Sequence, residues 1–105
     1  MNQEKVENRL RELCEQVAIR VLTDKEIVER DSLEWLLKNY FAEGKSVDEL
    51  RKETDRFYHL WRKCEGGKGT DKDEEILNLE FHTQASKEIF NHIRYRYKLL
   101  DKLSL

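Results

Sequence analysis

From Ile76 onward, Ile76, Leu79, Thr83, Ser86, Phe90, Ile93, Tyr97 and Leu100 follow one another at alternating steps of three and four. That spacing places them on one face of an α-helix. Glu80, Gln84, Lys87, Asn91, Arg94 and Lys98 repeat the steps on the opposite face. The pattern therefore predicts one long amphipathic helix from Thr70 or Asp71 to the end of the chain. Asp73, Glu74 and Glu75 stand in its first turn, where carboxylates complement the helix dipole.

Nearer the start, Val6, Leu10, Leu13, Cys14, Val17 and Val21 form a second stripe, with Glu7, Arg11 and Glu15 on the wet side. Val28 still fits it, so the favoured reading is one first helix from about Gln3 to about Arg30. Two capping-box patterns, Thr23 with Glu26 and Asp31 with Glu34, offer alternative places for a new helix to begin. Leu33, Leu36, Leu37, Tyr40 and Phe41, with Trp35 on the flank, then predict a short second helix ended by Gly44. Ser46 with Glu49 opens a third, whose stripe is Val47, Leu50, Thr54, Phe57, Trp61 and Cys64. Residues 65–70 read as a flexible link.

These elements predict an all-α fold: a single domain over residues 1–105, a mainly antiparallel bundle of about four helices with long first and last members. The absence of proline and the presence of only four glycines permit long helices almost everywhere. Leu36, Phe57, Trp61 and Phe90 are the expected core side chains.

Charge narrows the function classes. Twenty basic and 22 acidic residues are interspersed, for a net charge of −2. That balance argues against a nucleic-acid coat or a polybasic membrane binder, while leaving room for a local patch. No apolar run approaches the roughly 18 residues of a membrane span. Met1 to Asn8 lacks an apolar signal region, so a cytoplasmic location is expected. Cys14 and Cys64 match no metal or redox spacing and are read as buried small hydrophobes.

Little in the sequence points to catalysis. Gly66-Gly67-Lys68-Gly69-Thr70 lacks the spacing and the preceding strand of a phosphate-binding loop. Asp55 with His59, and Glu88 with His92, stand at i and i+4, but at different levels of the bundle, so no metal site is expected. No nucleophile is presented with a base and an orienting partner, so neither catalytic residues nor a cofactor are expected. Residues 40–63 resemble a helix-turn-helix DNA-binding segment at Gly44, Ser46, Val47 and Leu50. Arg51 stands where that motif needs a small residue, and a plain amphipathic helix is the favoured reading.

The end of the last helix carries the functional expectations. Tyr95, Leu99 and Leu103 lie off the main stripe, flanked by His92, Arg96 and Lys102. A helix apolar on two sides is normally buried on two sides. These six residues are therefore the expected partner-binding surface, with a second copy of the chain as the expected partner. The alternative is that the first helix bends over the stripe and buries it. The chain thus reads as a small intracellular protein–protein interaction module: a regulator, an inhibitor or an assembly subunit. A second reading makes it a nucleic-acid-associated factor using Arg94, Arg96, Lys98 and Lys102. A helical-bundle enzyme with an unrecognised site is the third.

Overall fold

The computed structural model describes residues 1–104. Among them are α1 (Gln3–Val17), α2 (Asp24–Leu36), α3 (Val47–Glu65), α4 (Asp71–Phe81) and α5 (Ser86–Leu103), and no strand. A π-helical segment, Leu37–Ala42, runs straight on from α2. The all-helical expectation holds, but among the described residues there are five α-helices rather than about four: both predicted long helices are broken, and the end of the first joins the predicted second helix in α2.

The first break falls between Ala18 and Thr23. Thr23 and Glu26 form a complete capping box: the Glu26 amide donates to the Thr23 hydroxyl at 3.2 Å, and the Thr23 amide donates to Glu26 Oε1 at 3.0 Å. Arg20 also grips Glu26 through two bonds of 2.8 and 2.6 Å. That guanidinium, helped by the Thr23 amide, holds the Glu26 carboxyl down at about 2. The apolar stripe ends with the helix: Val21 is 90% exposed, and Leu22 is buried in its place.

The second break is at His82, which caps α4 in the left-handed conformation at φ 56°. Thr83 then accepts a hydrogen bond from the Ala85 amide at 3.2 Å and donates one to Glu88 at 3.0 Å, and α5 begins at Ser86. This interruption changes which face of α4 is buried. Leu77 and Phe81 point inward, while Leu79 is 68% exposed and Ile76 half-exposed. A residue with a Cβ is strained at His82, and glycine is not. His82→Gly should therefore raise stability by about 0.5–1 kcal/mol, measured by thermal melting. A loss of stability would mean that the imidazole contributes more than the backbone strain costs.

Two apolar clusters form the interior. The first joins α1, α2, α3 and α5 through Val6, Leu13, Leu33, Trp35, Leu36, Leu50, Leu99 and Leu100. The second joins α3, α4 and α5 through Leu77, Phe81, Ile89 and Ile93, with Phe57 and Trp61 packed against it. Of the four expected core residues, Leu36 is fully buried, whereas Phe57, Trp61 and Phe90 are half-buried. Trp61 and Phe90 stack on each other at 4.7 Å along the edge of the second cluster, and the Trp61 indole N–H donates to the Ser86 carbonyl at 3.0 Å. Cys14, expected inside, is exposed, because α1 buries only Val6 and Leu13. Cys64 is half-buried, and a Cβ at Gly69 would stand 2.8 Å from its Cα. The glycine-rich link therefore makes one close approach to α3.

Side-chain pairs give the helix directions. Arg51 meets Asp101 at 3.1 Å, and Trp61 meets Ser86, so α3 and α5 run antiparallel. Asp31 pairs with His92 and Trp35 with Arg96, so α2 and α5 advance in the same direction. The second and last helices of a four-helix up-down arrangement share that direction. No described helix is long and apolar enough to cross a membrane.

Candidate interaction groove between α2 and α5

The inner face of α5 carries two polar side chains among its apolar ones. Arg96 is only 5% exposed. Its guanidinium lies 4.5 Å from the Trp35 ring and 4.5 Å from the Phe81 ring, so it joins the two clusters. Nη1 donates to Glu80 Oε1 at 2.9 Å. Burial pulls the Arg96 pKa down, and the Glu80 carboxylate works against that pull. One turn earlier, His92 Nδ1 lies 2.8 Å from the Glu88 carbonyl and Nε2 lies 3.3 Å from Asp31 Oδ2. Both ring nitrogens of His92 thus face oxygen atoms of neighbouring residues. Burial alone would push the Asp31 carboxyl up, but His92 and the Arg30 guanidinium together hold it below the usual carboxylate range.

These positions bear on the expected partner-binding surface. Leu99 is buried in the first cluster, and Tyr95 and Leu103 pack against it. His92 and Arg96 are inside as well, and only Lys102 of the six is exposed. The second stripe is covered within one chain by α1 and α2, the alternative that the pattern left open. Arg96 also leaves the expected nucleic-acid set, because its charge faces two aromatic rings and a carboxylate rather than solvent.

The outer face of α5 is different. Lys87, Arg94, Lys98 and Lys102 are all exposed, at spacings that keep them on one side of the helix. Where this side meets α2 there is a groove of about 800 Å³. Val28, Ala85 and Tyr95 supply its apolar lining. Lys25, Lys87, Arg94 and Lys98 supply four cations, against the two carboxylates of Asp24 and Glu88. None of the four cations makes an ion pair among the described residues. The groove therefore keeps an uncompensated positive charge beside the exposed Ala85 and the half-buried Tyr95, whereas Val28 is only 6% exposed.

No family model, curated protein or solved structure matches the chain.

The groove was partly legible in the sequence. Arg94 and Lys98 belong to the expected basic set, and the structure brings Lys87 alongside them. Lys25 and Val28 come from α2 and had no visible link to α5, because the link depends on the break after α1. The carboxylates of the two i, i+4 histidine pairs are engaged elsewhere: Asp55 accepts a hydrogen bond from the Tyr97 hydroxyl, and Glu88 accepts one from Thr83. Burial and the Asp55 carboxylate push the Tyr97 pKa up. Among the described residues, no group of three or more His, Cys, Asp or Glu side chains is placed to hold a metal ion.

Proposed function

We propose that this protein acts by binding another protein, and that the groove between α2 and α5 receives an acidic amphipathic helical segment. The supporting observation is the combination, at one groove, of apolar lining with four cations that make no ion pair among the described residues. An amphipathic helix can lay its apolar face on Ala85 and Tyr95 while its carboxylates meet Lys25, Lys87, Arg94 and Lys98. A regulator, an inhibitor or an assembly subunit can all work through such a contact. The second reading rests on a separate observation: Arg94, Lys98 and Lys102 share one exposed face, with Tyr95 and Tyr97 half-buried beside them. That face could follow a phosphate backbone. The apolar lining at Ala85 and Tyr95 favours the protein partner, because a phosphate backbone has no apolar face to lay on it.

Titration by fluorescence anisotropy separates the two. The probes are a helical peptide with leucines on one face and glutamates on its flanks, a duplex DNA and a single-stranded RNA. The peptide should bind saturably and weaken several-fold between about 50 and 200 mM salt, as exposed ion pairs are screened. Saturable nucleic-acid binding with a steep salt slope, and none of the peptide, would move the groove to the second reading. No binding of any probe at low salt would remove both.

A further inference from the structure

The groove has a charge-complementary surface on the same molecule. On the outward side of α4, Asp71, Glu74 and Glu75 surround Leu79, which is 68% exposed. These carboxylates make no ion pair among the described residues; the ion pair of α4's first turn is Asp73 with Lys63. An 11-residue helix with three free carboxylates around a bare leucine is the kind of segment that the groove chemistry accepts.

Dimensions and placement agree. From Asp71 to Phe81, and from Lys87 to Lys98, are helical stretches of roughly 15–17 Å each. The acidic surface reaches Thr83 and Gln84, and the groove begins at Ala85 and Lys87, so the two adjoin across one turn. Two adjoining complementary patches can pair reciprocally about a two-fold axis, each copy giving its acidic helix and receiving the other's. We propose that the chain forms a two-fold homodimer in which α4 of each copy lies on the α2–α5 groove of the other. Leu79 then meets Ala85 and Tyr95, and Glu74 and Glu75 meet Lys87, Arg94 and Lys98. This identifies the partner as a second copy and rests on the groove reading above. It also replaces the inner stripe of α5 with an exposed surface as the site of self-association.

Sedimentation velocity at tens of micromolar tests it, with two variants whose changes lie on exposed faces. Lys87→Glu/Arg94→Glu/Lys98→Glu reverses the groove, and Glu75→Lys/Leu79→Lys reverses the α4 face beyond its first turn. The wild type should sediment at twice the monomer mass, each variant alone at the monomer mass, and their equimolar mixture at twice it again. Circular dichroism on each variant confirms that the helices are retained. A wild-type dimer that neither variant disturbs would place self-association elsewhere and overturn the proposal. A monomeric wild type that still binds the acidic peptide would overturn the dimer and leave the groove reading standing. A monomeric wild type that binds no peptide would remove both.

Discussion

Phe81→Ala should lower stability by about 3–5 kcal/mol in denaturant melts, the range for truncating a core aromatic. Its ring is 2% exposed and holds three things at once. It meets the Phe57 ring edge-on at 5.5 Å, the Arg96 guanidinium at 4.5 Å and the His92 ring at 5.9 Å. Removing it opens a cavity where α3, α4 and α5 meet, and leaves one side of a buried cation without its ring. Phe57→Ala, at a half-buried position, should cost less than Phe81→Ala. The reverse order would mean that α4 does not seat its last turn between α3 and α5.

The second large effect is expected at Arg96, and its size depends on what replaces it. Arg96→Ala should cost about 3 kcal/mol, because it empties the space between the Trp35 and Phe81 rings and removes the partner of Glu80. Glu80 is 31% exposed and can recover part of that loss by hydration, so packing dominates the cost. Arg96→Met keeps a long side chain between the rings and discards the burial cost of the charge. It leaves Glu80 unpaired as alanine does, but keeps the packing, so it should cost about 1–2 kcal/mol less than Arg96→Ala. The unpartnered Nε–H of Arg96 adds to that expectation, since methionine leaves no such donor behind. Equal losses for alanine and methionine would show that the charge, and not the packing, holds the two clusters together.

Much of the local structure was readable from short patterns. Gly44, with φ 72°, Ser46 at the start of α3 and Thr70 at the start of α4 all stand where the sequence placed them. Each acts within a few residues through hydrogen bonds that its side chain or backbone dictates. The two long helices were misread for one shared reason: neither break has a glycine or proline to announce it. At Thr23 the capping box was visible, but the stripe through Val21 and Val28 argued for continuity. At His82 a left-handed residue other than glycine ends α4, and the stripe through Ile76, Leu79, Thr83 and Ser86 runs across the gap in good helical phase. The buried set instead follows steps of four from Leu77 to Phe81 and, beyond the turn, from Ile89 to Ile93. Both sets are present in the sequence, and only the turn at 82–85 selects between them.

The burial of the expected binding stripe was hidden for the same reason. With residues 3–30 taken as one straight helix, little remained to cover Tyr95, Leu99 and Leu103. Once α2 folds back, it covers that stripe and forms one wall of the groove beside it. A buried arginine between two rings has no sequence signal of its own, and Arg96 differs from Arg94 only in its position around the helix.

The division of α5 into an inner face that holds the fold and an outer face that binds is tested most directly by one comparison. The affinity of the acidic helical peptide is measured for the wild type and for Lys87→Glu/Arg94→Glu/Lys98→Glu, at equal low salt. Three lost attractions and three new repulsions, at about 0.5 kcal/mol each, should weaken binding about 100-fold. The melting temperatures should stay close together, since none of the three cations makes an ion pair among the described residues. Equal affinity of the two proteins for the peptide would contradict the assignment of the groove.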